Sequence, residues 1–354
     1  MSGRTASLRD DITAQQDFVR SRAPVYARLL ALLEEQLDRG LEARLDEAWA
    51  GRQFGAFYER PLLLLAALRD DALREGEAHP LWRAIARRPP DSSSLTPAAV
   101  AAAVAPERTH LWQTLASRYV QTNEPSRAVA WLWPAHIARD VSPRPLALFD
   151  VGASAGLNLV ADRLPARWTR DDGSPLEVAP IPSVVRRVGF DPRPLDPLAD
   201  EDARWLHACV WPGQLDREAR LEEAMDAFRR MQSGPDAPRI ETARAREVPD
   251  RLPRGDDAPL ALVYQTVVRD YLSDDEWEAY HSGMYVWIAS RPPGAALWVE
   301  LEVTEEAARG GPPAAITVHA RQDDDVRAFV IAHCEPHPRA LTVHADAVTA
   351  LRRA

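Results

Sequence analysis

From Leu146 onward the chain alternates short apolar runs with stretches of helical spacing, and that alternation restricts it to one broad architecture. The runs Leu146 to Val151, Val184 to Phe190, Arg239 to Ala243, Leu260 to Tyr264 and Ala295 to Val303 have strand length. Helical spacing fills the intervals at Leu157 to Arg163, Asp200 to Val210, Gln214 to Met231 and Asp274 to Ser290. Strands joined through helices must cross over, and crossovers give parallel neighbours with helices on the faces of the sheet. A last pair, Ala315 to Arg321 and Val326 to Cys334, is divided by the polar run Gln322 to Asp325 and is expected to close as an antiparallel hairpin. The proline-bounded stretch Pro165 to Pro182 interrupts the first crossover and is expected to loop out as a small lid.

The first 140 residues follow a different pattern. Val25 to Leu37 and Phe57 to Leu68 repeat apolar residues at three- and four-residue intervals, and Pro61 suits a helix start. Arg87 to Pro97 is a polar, proline-broken connection whose Thr96-Pro97 pair reads as a cap opening another helix. The expected organisation is an all-α domain over residues 1–141 and an α/β domain over 142–354. The second is expected to be a Rossmann-like, methyltransferase-type sheet, mostly parallel, with the antiparallel hairpin at its C-terminal end.

Composition excludes several chemistries. All 43 basic residues are arginine, so a Schiff-base lysine, a pyridoxal phosphate anchor and a Walker lysine are ruled out. The formal charge of −10 argues against nonspecific attraction to nucleic acid phosphates. No apolar run approaches a bilayer span, so no membrane partner is expected, and two cysteines are too few for a disulfide framework. A cytoplasmic protein with a small-molecule substrate is the expectation.

The stretch LALFDVGASAGLNL, Leu146 to Leu159, supports two chemistries. Gly152-Ala-Ser154-Ala-Gly156 matches the G-x-S-x-G elbow that presents a catalytic serine. The same residues after Asp150 also form a glycine turn that lets backbone approach a nucleoside cofactor at a helix start. A third possibility is a turn that only packs helix on strand. The elbow requires strands before it and an oxyanion loop, whereas here a helical region precedes it. The cofactor reading requires an acid at the tip of the next strand for the ribose hydroxyls, and Asp191 in RVGFDP stands there.

On the cofactor reading, S-adenosylmethionine lies over Gly152, Ser154 and Gly156, with Asp150 pairing the methionine ammonium and Asn158 at the amino-acid end or capping the helix. In QTNE, Asn123 or Thr122 caps the next helix with Pro125 in its first turn, or else Gln121, Thr122, Asn123 and Glu124 close over a substrate. Tyr264, Gln265 and Thr266 end the fourth strand, where they orient an acceptor or start a helix. Glu300 and Glu302 share a face of the fifth strand. Glu302, nearer the carboxyl edge, is the candidate acid or base, or else an arginine's ion-pair partner. His333-Cys334-Glu335-Pro336-His337 collects metal-capable groups, but no second cluster completes a site and no metal is expected.

Several ordered blocks carry a resemblance: VQTNEPSRA, VGASAGLNLVADRL, RVGFDPRPLDP, VWPGQLDR, VYQTVVRDYL and WVELEV. Through them the chain resembles the bacterial family named domain of unknown function 2332, over most of its length. That family looks like a variant of the adenosylmethionine-dependent methyltransferase fold, which is what the resemblance implies here. The family pattern often has His-Ser where this chain has Gln265-Thr266, and Asp where it has Gly213. If that histidine is a general base in the family, this chain lacks it, and either the base lies elsewhere or the chemistry needs none.

Overall fold

Helices occupy most of the chain before the first strand, and a computed structural model describes residues 7–139, 144–255 and 259–353. The chain divides into two units, Met1–Thr122 with Pro197–Ala219, and Asn123–Asp196 with Arg220–Ala354. The expected boundary at 141/142 lies outside the described residues. The division differs from the expected one on both sides of that point, because residues 123–139 belong with the sheet and a later excursion, residues 197–219, belongs with the helices.

The helical unit contains α1 (Leu8–Val19), α2 (Pro24–Gln36), α3 (Glu42–Ala48), α4 (Glu59–Glu75), α5 (Pro97–Ala103) and α6 (Thr109–Ser117). Helix α7 (Val129–Arg139) lies in the sheet unit, and the chain returns to the helical unit at α8 (Asp200–Ala208). Thr96 caps α5 as expected, its Oγ1 accepting the Ala99 N–H at 3.1 Å with Pro97 in the first turn. Inside this unit the guanidinium of Arg69 pairs with Glu218 and donates to the Val210 carbonyl, all out of water. Such a charge tolerates burial only because its partners are buried with it.

The sheet unit holds β1 (Leu146–Val151), β2 (Thr169–Arg170), β3 (Val184–Asp191), β4 (Arg239–Thr242), β5 (Leu260–Thr266), β6 (Ala296–Val303), β7 (Ala314–Gln322), β8 (Asp325–Cys334) and β9 (Ala340–Val343). Their order is β2-β9-β8-β7-β6-β5-β1-β3-β4. From β4 to β6 all neighbours are parallel; the neighbouring pairs β6–β7, β7–β8 and β8–β9 are antiparallel, and β2 pairs parallel to β9. The chain steps outward from β1 through β3 to β4, then crosses back to the other side of β1 for β5 and β6. The sheet therefore has a topological switch point between β1 and β5.

Alternation in each strand sends side chains to two cores. Leu146, Leu148, Leu260, Leu262, Leu297 and Val299 pack with Trp131 and Leu132 of α7 on one face. Ala147, Phe149, Ala261, Val263 and Trp298 pack on the other face with Tyr280, Met284 and Trp287 of α11 (Asp274–Ala289). Between β3 and β5 run α9 (Leu215–Met231) and α10 (Val248–Arg251).

Two expectations need correction. The Pro165 to Pro182 stretch is not a free lid: it supplies β2, its Trp168, Leu176 and Val178 are in the core, and Trp168 Nε1 donates to the Ser126 carbonyl at 2.8 Å. The chain also continues past the hairpin into β9 and α12 (Ala345–Leu351). Their apolar residues Leu341 and Leu351 are buried in the first core. No helix of the described residues is long and apolar enough to cross a membrane.

Candidate active site at the carboxyl ends of the strands

Three hydrogen-bonded groups of residues meet the ends of β1, β3, β5 and β6. The first is the turn after β1. Gly152, Ser154 and Gly156 all have left-handed backbone, with φ of 76°, 51° and 70°. A Cβ at Gly152 would stand 2.7 Å from Val268 Cγ2, and one at Gly156 would stand 2.2 Å from Ile240 Cδ1. Both glycines thus have a packing reason for being glycine, independent of any ligand.

The turn is clamped from two sides. Asn123 Nδ2 donates to Ser154 Oγ at 2.8 Å, and the Asn123 oxygen accepts the Ala155 N–H at 3.4 Å. Asp191 Oδ2 accepts the Ser154 N–H at 2.9 Å, while its Oδ1 accepts the Arg193 N–H at 2.8 Å. Burial raises the Asp191 pKa above the usual carboxylate range despite those two hydrogen bonds. Asn158 follows in a 3-10 turn, Leu157–Arg163, and its carbonyl accepts Trp131 Nε1 at 2.8 Å. The Ser154 backbone has the strain of a serine elbow, but its hydroxyl is an acceptor for an amide, and Asn123 is its side-chain partner among the described residues.

The second group is internal. Tyr264 donates its hydroxyl to Asp150 Oδ2 at 2.9 Å, and both side chains are buried. Burial first, and the charge of Asp191 in addition, push the Asp150 pKa to about 8 against the opposing effect of the Tyr264 hydrogen bond. At neutral pH Asp150 is therefore mostly protonated, and its carboxyl is turned into the protein rather than toward an ammonium. Tyr264, with its ring against Trp131, likewise has no surface to offer a substrate.

The third group centres on Glu302. Its Oε1 accepts Gln265 Nε2 at 2.9 Å and the Val268 N–H at 3.0 Å, and its Oε2 accepts the Arg269 N–H at 3.3 Å. These donors are neutral; burial outweighs them and lifts the Glu302 pKa to about 7. Gln265 is fully buried, and its Oε1 accepts both Tyr280 Oη and Trp298 Nε1. It holds Glu302 in place rather than facing a substrate. The chain between them is strained: Val267, a β-branched residue, has φ of 55°, an arrangement that persists only where the surroundings impose it. Thr266 gives its carbonyl to Arg127 Nη1 at 3.5 Å.

Glu302 lines a pocket of about 660 Å³ together with Glu300, Arg269, Asp270 and Trp277. Glu300 Oε2 lies 2.6 Å from His319 Nε2, and the His319 ring stacks on Trp298 with centroids 4.2 Å apart. Cross-strand partners such as His319 are invisible to sequence reading, because pairing register alone brings β7 against β6. Glu300 was visible as sharing the face of Glu302.

Of the QTNE residues, Glu124 rather than Asn123 is the cap, accepting the Ser126 N–H at 3.2 Å ahead of the turn Pro125–Ala128. Glu124 also pairs with Arg220 at 3.1 Å, and His337 Nδ1 stands 3.6 Å from its other oxygen. Gln121 belongs to the helical unit, where its backbone hydrogen-bonds the Cys209 thiol. Among the described residues, Asp71, Glu75 and His79 form a group with converging metal-capable atoms. Arg108 already bridges Asp71 and Glu75, and His79 Nδ1 accepts the Leu81 N–H, which leaves the ring hydrogen on Nε2. A nitrogen carrying hydrogen is no ligand, so this group is an ion-pair network.

No curated protein and no solved structure matches the chain. A family model matches residues 11–342, nearly the whole length, and by that match the chain belongs to the family of uncharacterized proteins conserved in bacteria, DUF2332.

Proposed function

We propose that the sheet unit is an S-adenosylmethionine-dependent methyltransferase acting on a small-molecule acceptor. One observation carries this reading: the strand order reverses between β1 and β5, and the turn Gly152 to Gly156 lies at the carboxyl end of β1 at that reversal. Open α/β sheets bind ligands at this position.

The surroundings fit such a cofactor in part. Oδ1 of Asn158 and Oγ of Ser126 are buried without a hydrogen-bond partner among the described residues, and the segments carrying them pack together. Buried polar atoms are rarely left so, and the polar groups of a bound molecule would satisfy them. Asp191, whose carboxylate accepts the Ser154 and Arg193 N–H groups, stands at the tip of β3 beside that turn. Asp150 is not assigned to the cofactor, because its carboxyl is internal and mostly protonated at neutral pH.

Bound S-adenosylmethionine supplies an electrophilic methyl group, for which alignment with the acceptor provides much of the acceleration. A hydroxyl or amine acceptor must lose a proton, and Glu302, with its pKa of about 7 on the pocket wall, is assigned to receive it. Gln265 is then a positioning residue for Glu302 rather than a catalytic one.

Calorimetric titration of the purified protein with S-adenosylmethionine tests the reading, alongside Asn158→Leu. Saturable binding that Asn158→Leu weakens is expected; silence from the folded wild-type protein refutes it. Binding without turnover of any acceptor would make the protein a ligand-binding member of the same fold. Fluorophosphonate labelling that disappears in Ser154→Ala would move the assignment to a serine hydrolase.

A further inference from the structure

Gln265 sits between groups with opposite demands. In the β5–β6 register it lies opposite Glu300, so on that face Trp298 and Glu302 flank it on either side. Its Oε1 accepts from Trp298 Nε1 at 3.2 Å and from Tyr280 Oη, while its Nε2 donates to Glu302 Oε1 at 2.9 Å. Gln265, Tyr280 and Trp298 are all fully buried, so bulk water does not replace a lost partner.

A half-turn of an amide exchanges its oxygen for its NH2. Here that exchange is blocked. An indole nitrogen only donates, so a turned amide would set NH2 against N–H beside Trp298 and strand both donors out of water. Tyr280 puts a second donor on the same oxygen. Burial first, and the charges of Glu300 and Glu302 in addition, push the Tyr280 pKa well above the ordinary phenol value, so its hydroxyl keeps its hydrogen.

The orientation matters to Glu302. As placed, Gln265 offers a donor, which favours the carboxylate; turned, it would offer an oxygen, which favours the carboxylic acid. The Val268 and Arg269 N–H groups are donors to Glu302 as well. Of the titratable groups nearby, Glu300 precedes Glu302 on β6 and is met by His319 of β7 and His281 of α11. Arg269, Asp270 and Glu305 line the pocket, and Arg269 pairs with Asp274. Among the described residues the side-chain hydrogen bond to Glu302 comes from Gln265.

We infer that Trp298 and Tyr280 are positioning residues: they lock the Gln265 amide in the one orientation that donates to Glu302, and so keep Glu302 a proton acceptor. The lock stands by itself; the use of Glu302 as the base for a methyl acceptor rests on the methyltransferase reading. In that role the locked amide keeps the carboxylate ready to take the acceptor's proton.

The experiment is an NMR titration of the full chain labelled with carbon-13 at the glutamate carboxyls, the Glu302 signal being the one lost in Glu302→Gln. Trp298→Phe is expected to raise the Glu302 midpoint by about one unit, and Tyr280→Phe, which changes little shape, by about half as much. Gln265→Leu should raise it by itself, and adding Tyr280→Phe should then move it no further. Equal shifts from Tyr280→Phe with and without Gln265, or midpoints unchanged or lowered in both Tyr280→Phe and Trp298→Phe, overturn the inference. Should Gln265→Leu fail to fold, nitrogen-15 labelling of the glutamine side chains decides. One NH2 group should then shift with the Glu302 midpoint and lose that response in Glu302→Gln, and the absence of such a group overturns the inference. S-adenosylmethionine binding with no shift of the midpoint would overturn the lock and leave the methyltransferase reading standing, and the converse result would do the reverse.

Discussion

Replacing Asp150 by asparagine should make the protein more stable near neutral pH. The carboxyl is 2 % exposed, and its side-chain hydrogen bond comes from Tyr264 Oη at 2.9 Å. Burial sets its pKa at about 8 in the folded protein, against about 3.9 in an unfolded chain. Below about pH 4 both states hold the proton, and above about pH 8 both have lost it. Between these limits only the folded state holds it, so stability falls as pH rises and levels off above the folded pKa. At about 1.4 kcal/mol for each unit, the loss reaches at most about 4 kcal/mol at pH 7. Asparagine never ionises and keeps an oxygen to accept from Tyr264. Asp150→Asn should match the wild type near pH 4 and exceed it increasingly toward pH 8. Urea midpoints measured at several pH values, at constant denaturant slope, give the difference. Parallel pH dependences, or a variant weaker than wild type at neutral pH, would refute the assignment of a buried, protonated Asp150.

Two further predictions concern the frame of the site. Arg187, fully buried on β3, grips Asp162 with two bonds of 2.7 and 2.8 Å. Arg187→Met should cost about 3–5 kcal/mol by stranding the carboxylate, and adding Asp162→Leu should recover much of it, as chemical unfolding of the single and double variants will show. Gly152→Ala combines a positive φ with a Cβ 2.7 Å from Val268. It should destabilise by about 2 kcal/mol or more in thermal unfolding, and a variant as stable as wild type would mean that the two loops are not packed as described.

Much of the candidate site was legible in order but not in contact. The glycine turn, Asp191 and Glu302 could be read because strand ends in an α/β alternation identify themselves through apolar runs. Their partners could not. The sequence placed Asp150 and Tyr264 each at a strand tip; parallel pairing of β1 with β5 sets them opposite each other, which turns two supposed ligand contacts into one internal hydrogen bond. Gln265 was expected to act on a substrate, and its register against Glu300 on β6 instead places its amide under Glu302.

The sequence alone determined the alternation of strands and helices, and with it the parallel half of the sheet, because hydrophobic period is a local property that each segment carries by itself. It also determined what the chain lacks, with no lysine for Schiff-base chemistry. Only the tertiary structure decided that Glu300 is held by His319, that Pro165 to Pro182 is anchored to the sheet, and that four carboxylates share one pocket. These depend on strand register and on burial, which are set by residues far apart in the chain and have no local signature.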